Sequence, residues 1–339
     1  MKKSLLALAI FGAFTGAASA QSSVTVYGIV DTGVLSTDDG VARKTGLESG
    51  LNAASRIGFK GAEDLGGGLK AIFLLESGFR SDTGALSTAG SLFNRLSYVG
   101  LEGNFGAVRL GRQNSPMKTA MDVADPFKNA GNLGMVDAFG YYPGPGGGNV
   151  YSERVSNLIT YTTPNFSGFS GSAGYQFGEV AGDTSANRSV SGQLGYANGP
   201  LSLAFGYEQI NGAAGTDEKQ KNMFFGGNYD FGVFKLHAGV GDAKFEDPTS
   251  DAKVRNYMVG VTVPFGANAI RASYIRNDVK YAQNSDSSQL GISYTYVMSK
   301  RTTLYAAYAH VSNDGAADLT VAAAGKSGSR IMTGIQHNF

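Results

Sequence analysis

The 339 residues hold 28 Lys+Arg against 27 Asp+Glu, with 49 glycines, 17 tyrosines and no cysteine. A formal net charge of +1 supplies no basic field for a nucleic-acid partner, and the missing cysteines exclude disulfides as the source of stability. After the first residues no window approaches ~20 consecutive apolar residues, so the sequence offers no transmembrane helix.

The chain opens on Met1-Lys2-Lys3, an apolar run from Leu5 to Phe11, and Ala18-Ser19-Ala20. A basic start, a short apolar core and an Ala-x-Ala end predict a cleaved signal peptide over 1–20. The mature chain then begins at Gln21, outside the cytoplasm. Residues 21–339 show no linker or composition break and are expected to form one closed architecture.

Val24–Asp31 alternates, and so do later segments. In Ser55–Lys60, Ile57 and Phe59 take one phase and Arg56 and Lys60 the other. Asp64-Leu65-Gly66-Gly67-Gly68 predicts a turn. Ala71, Phe73 and Leu75 then alternate with Lys70 and Glu76. Arg95–Gly100 places Arg95 on the polar phase and Tyr98 on the apolar phase. A turn at Gly103–Gly106 leads into Ala107–Gln113. From 114 to 152 the alternation stops. This stretch has mixed polarity and a Pro/Gly cluster, Tyr141 to Gly148, and reads as a structureless insert. An insert of that length inside a regular β-pattern is usually functional.

Alternation resumes near 153–163 and runs to 328–339, giving about sixteen strands in all. Every second connection is short; long ones fall near 37–51, 79–92, 114–152 and onward. Tight turns at one rim and long loops at the other predict an all-β, 16-stranded antiparallel transmembrane β-barrel with periplasmic turns and external loops. Closure is required, because an open edge in lipid leaves backbone groups unsatisfied. A barrel this wide cannot be filled by side chains, so its polar face borders water and its apolar face meets outer-membrane lipid. The insert is expected to fold into the lumen as the third external loop.

Several segments resemble the general porins of β-proteobacteria, the Neisseria–Bordetella–Burkholderia type. They are Gln21–Asp31, Ser55–Gly61, Tyr98–Leu101, Leu110–Gln113, Tyr161–Phe169 and the terminal Gly334–Phe339 with its final Phe. The resemblance spans the whole mature chain. It implies a homotrimeric diffusion channel in the bacterial outer membrane, passing small hydrophilic solutes and anions. Where enteric porins carry a Pro-Glu-Phe-Gly signature, this chain has Ala124-Asp125-Pro126-Phe127-Lys128.

In such a channel the site is an electric field. Arg56 and Arg95 take the lumen phase, and Arg154 opens the strand after the insert. Relatives that prefer anions have arginines at matching positions on the wall facing the loop, and Glu76 matches an acid beside them. Asp122 and Asp125 on the insert would oppose them. The expected pore constriction is therefore Arg56, Arg95, Arg154, Glu76, Asp122 and Asp125, with Lys118 and Lys128 of undetermined direction. A channel selective for one solute and a non-conducting surface barrel stay open as alternatives. Gly325-Lys326-Ser327 lacks the glycine of a phosphate loop, since position 320 is Thr. His237, His310 and His337 have no metal-ligand spacing and no nucleophile motif beside them. No cofactor, metal or catalytic residue is expected.

Overall fold

The structure, a computed structural model, describes residues 23–128, 133, 139, 141–142, 148–246, 252–280 and 285–339. The leader over 1–20 and the centre of the Pro/Gly cluster lie outside the described residues.

The chain lays down β1 (Ser23–Asp38), β2 (Arg43–Ser49), β3 (Arg56–Gly66), β4 (Leu69–Gly78), β5 (Leu96–Gly103) and β6 (Gly106–Asn114). Helix α1 (Pro116–Ala124) and a two-residue ladder, β7 (Tyr141–Tyr142) with β8 (Gly148–Asn149), follow in the insert. Then come β9 (Arg154–Thr162), β10 (Phe169–Gln176), β11 (Ser189–Asn198), β12 (Leu201–Asn211), β13 (Lys219–Asp230) and β14 (Lys235–Glu246). The last strands are β15 (Ala252–Phe265), β16 (Asn268–Lys280), β17 (Ser287–Val297), β18 (Thr302–Asn313) and β19 (Gly328–Asn338).

From β3 to β6 and from β9 to β19, each strand pairs antiparallel with the next. β6 pairs across the insert with β9, and β1 closes the ring by pairing β3 along Ser23–Ile29 and β19 along Ile29–Asp38. Leaving out β2, β7 and β8, the ring contains sixteen strands. The seam is tied at the chain end, where Gly28 and Phe339 exchange both backbone hydrogen bonds. No strand edge is left open in the ring, as lipid requires.

The two faces separate as the alternation predicts. Val24, Val26, Phe59, Phe169, Phe205 and Tyr274 are among the large apolar groups exposed on the outer face. Asp31, Glu76, Gln193, Glu208 and Asn256, of opposite phase, are buried on the lumen side. Paired residues on neighbouring strands point to the same side. The pairs Gly58–Glu76, Lys60–Leu74 and Leu74–Tyr98 therefore carry the lumen face from β3 through β4 to β5.

That register corrects the sequence reading at Tyr98, which faces the lumen. The Arg109 guanidinium lies 5.7 Å from its ring centre. The error came from taking Arg95 as part of the strand. β5 begins at Leu96, and Arg95 sits in the preceding bend.

A second correction concerns 37–51. The first strand continues to Asp38 and returns as β2, with Thr32 opposite Ser49 and Asp38 opposite Arg43. Asp39-Gly40 makes the turn. The Asp39 carboxylate accepts the N–H groups of Ala42 and Val41, which hold it below the usual carboxylate range, and Gly40 takes φ 82°.

Below this hairpin the chain turns back against Asp31, which is fully buried. Its carboxylate accepts the N–H groups of Asn52 and Ala53 at 2.8 and 2.6 Å and the Tyr305 hydroxyl at 2.5 Å. One side chain thus joins the first loop to β18. Leaving such buried donors unpaired costs about 1–3 kcal/mol each.

Candidate functional site

The insert is not structureless. Ser115 caps α1, its hydroxyl accepting the Lys118 N–H at 2.9 Å, and Pro116 occupies the first turn, where its missing N–H costs nothing. Met117, Ala120, Met121 and Ala124 recur at helical spacing and are all buried. They lie against the inner wall of β12 and β13. The fit depends on inward-facing glycine: a Cβ on Gly206 would stand 2.9 Å from Met117 Sδ and 3.1 Å from Ala120 Cβ.

The wall also fastens the helix by its last carbonyls, which an α-helix leaves without internal partners. Asn228 of β13 donates to the Val123 carbonyl at 2.7 Å. His237 of β14 bonds the Ala124 carbonyl through Nδ1 at 3.0 Å and Thr262 through Nε2 at 3.1 Å. The returning limb is held as firmly. Asn222 and Gln220 both donate to the Val150 carbonyl. Glu208 accepts the Ser152 N–H and the Asn222 amide. The Tyr151 hydroxyl donates to Asn256 at 2.9 Å, and burial pushes that phenol far above its ordinary range.

Across the lumen lies a charged cluster. β3 and β13 are eight steps apart in the ring of sixteen, so the wall carrying Arg56 faces the wall carrying α1. Arg56 opens β3, opposite Ile29 and Gly78. Glu76 of β4 is the hub. Its Oε1 accepts Arg95 Nε at 2.7 Å and lies 4.0 Å from an Arg56 nitrogen, while Oε2 accepts the Tyr27 hydroxyl at 2.8 Å. Gly58 leaves the space that the Tyr27 ring fills. Arg154 opens β9, pairs with Glu153 at 2.7 Å, and lies within electrostatic reach of Arg95, Glu76 and Arg56.

The structure therefore brings together Arg56, Arg95, Arg154 and Glu76. Arg56 and Glu76 arrive by strand phase. Arg95 arrives because the bend before β5 turns its side chain inward.

The two insert acids behave differently. Asp122 is partly exposed beside the lumen and pairs with Lys118 one turn earlier, at 2.6 Å. Asp125 is buried and accepts the Phe127 N–H at 2.9 Å in the turn after α1. Lys128, whose direction the sequence left open, lines a lumen cleft below the helix.

Sequence reasoning missed Tyr27, Arg109, Arg112 and Glu153. Arg112 donates to the Asn94 carbonyl at 2.6 Å and to Ser156 at 2.9 Å. Its signal was present, in the Leu110–Gln113 motif, but carried only resemblance. Gly325-Lys326-Ser327 lies in the loop before β19, where Gly325 and Lys326 bond back to Ala317 and Asn313. Among the described residues, no group of three His, Asp or Glu stands close enough to hold a metal.

Comparison with known proteins places these features in context. Residues 5–316 match a family described as Gram-negative porin. Outer membrane porin protein 32 of Delftia acidovorans is 39% identical, with all of both chains covered. An outer membrane porin protein of Bordetella pertussis is 33% identical over 92% of this chain and 95% of its own. Among solved structures, an anion-selective porin from Comamonas acidovorans superposes with a TM-score of 0.82 at 35% identity, covering 94% of this chain and 100% of that one.

Proposed function

The chain belongs to the Gram-negative porin family, and on that premise we propose that its pore prefers anions because Arg56, Arg95 and Arg154 set the field at its narrowest level. It is an outer-membrane β-barrel channel. The observation that carries the reading is the opposition of two walls. Three guanidinium groups gather around Glu76 on one side, and α1 lies against the other.

A field across an aqueous gap favours ions of opposite sign and orients dipoles passing through it. Glu76 binds Arg95 and Tyr27 and lies beside Arg56, so it positions the cations more than it cancels them. Asp122 supplies the facing negative group, tempered by Lys118. Asp125, turned into backbone of its own loop, shapes the insert instead of adding to the field. The insert over 114–152 acts as the constriction loop.

Two further assignments accompany this one. Residues 1–20 are a signal removed on export. The barrel works as a homotrimer, as expected from the family and in line with the solved outer membrane protein OmpT of Vibrio cholerae described in a trimer form. A heat-sensitive, slow-migrating band on a denaturing gel supports the trimer; migration as a monomer after mild detergent extraction rejects it.

Solute uptake into liposomes tests the charge preference. An organic anion is expected to enter faster than a cation of equal size, by about fivefold for a field of roughly 1 kcal/mol. Equal rates, or faster cation entry, reject the proposal.

A further inference from the structure

A second group of cations lies in the lumen, away from the arginine wall. A cleft of ≈520 Å³ opens beneath α1, between the insert and the inner face of β10–β16. Lys128 reaches it from the insert, Lys235 from β14 and Arg271 from β16. Thr262 and Arg271 are direct partners across β15 and β16, and Lys235 pairs with Thr262 across β14 and β15. The three positions therefore share one patch of lumen wall. His237 stands among them, within electrostatic reach of all three cations.

The patch is under-neutralised. Lys235 has a carboxylate partner, Asp230, at 3.3 Å. Among the described residues, Lys128 and Arg271 have none within salt-bridge distance; the Arg271 guanidinium donates to Thr295 at 3.2 Å. Asp122 and Asp125 also line the cleft; Asp122 is paired with Lys118, and Asp125 accepts the Phe127 N–H. Asn228, Gln193 and Thr262 are among the neutral polar groups of the lining.

The roof of the cleft is held in place. Asn228 and His237, which line the cleft, are the side chains that clamp the last carbonyls of α1. Those clamps fix the end of α1 above the cleft, and the Arg271 guanidinium is held by its bond to Thr295, so part of the site is preorganised. The cleft sits close to the short turns joining β13 to β14 and β15 to β16, so a solute that has passed the arginine wall meets it next.

We propose that Lys128, Arg271 and Lys235 form a second anion site in series with the arginine wall, just inside the turn-side mouth, suited to a small multivalent oxyanion such as a phosphate or a dicarboxylate. A planar guanidinium takes two oxygens of such a group, and two ammonium groups complement its remaining charge. A monovalent ion gains less from three convergent cations. The proposal rests on the reading of the barrel as an anion-preferring channel.

The test is the block of single-channel chloride current by inorganic phosphate, in wild type and in the Lys128→Gln/Arg271→Gln double variant. Wild type is expected to show saturable block, and the double variant to need about tenfold more phosphate. Its chloride-over-potassium selectivity should remain on the anion side, because the arginine wall is intact. Unaltered phosphate block in the double variant, or the absence of saturable block in wild type, overturns the second site. Failure of the broader reading shows separately, as cation preference in wild type without phosphate. Lys128→Gln alone, a change at an exposed insert residue, should produce part of the shift without risk to folding; no shift from it counts against the site.

Discussion

Arg56→Gln combined with Arg95→Gln is expected to move the reversal potential of the channel in a salt gradient toward cations. At roughly 8 Å in water each arginine contributes about 0.5 kcal/mol to a passing monovalent ion. It attracts an anion and repels a cation by that amount, so the difference between the two is about 1 kcal/mol per arginine. Two substitutions then change the anion-to-cation ratio about thirtyfold before screening, and about fivefold at 0.1 M salt, where the Debye length is ≈10 Å. The shift should grow as salt is lowered.

Glutamine keeps part of the hydrogen bonding, so Glu76 retains the Tyr27 hydroxyl and loses its guanidinium partners. The uncovered carboxylate then adds to the cation bias. A reversal potential that does not move removes these residues from the site.

The second large effect concerns the seat of the insert. Gly206→Leu is expected to lower single-channel conductance by about half without dismantling the barrel. The three heavy atoms nearest a Cβ at this position belong to Met117 and Ala120 of α1. A leucine cannot share that space, and the barrel wall behind is fixed by hydrogen bonds on both sides, to β11 and β13. The helix must shift toward the pore axis, at an overpacking cost of about 1–3 kcal/mol. Phe205→Leu, one residue away on the outer face, is the control and should leave conductance unchanged. Equal conductance in the Gly206 variant would show that the insert does not limit flow.

The difference between those two residues shows what the sequence could and could not convey. Strand phase was legible because every second residue meets either lipid or water, and one residue of offset exchanges the two. Phe59, Phe169 and Arg56 fall where alternation puts them. Phase is reliable only inside a strand. Arg95, just before β5, reached the cluster by a bend, and counting from it placed Tyr98 on the wrong face.

The inward glycines were not legible as a seat. Glycine in a strand-rich chain reads as turn chemistry until the partner across the lumen is known. Gly206 and Gly58 make room for Met117 and Tyr27, residues 89 and 31 positions away. Helix α1 did carry a signal in Ser115-Pro116 and in the spacing of Met117, Ala120, Met121 and Ala124. Nine residues of amphipathic pattern were outweighed by the irregular stretch around them. The roles of Asp122 and Asp125 diverge for a similar reason. Asp122 takes its direction from the phase of α1, whereas Asp125 falls in the turn after the helix, and that turn follows the carbonyls clamped by β13 and β14.

The most direct measurement is the sign of the reversal potential of the wild-type protein, reconstituted in a planar bilayer across a tenfold potassium chloride gradient. With arginines governing the narrowest level, the potential takes the sign of chloride permeation and grows as both solutions are diluted. A potential of the opposite sign, or none at any dilution, would contradict the account.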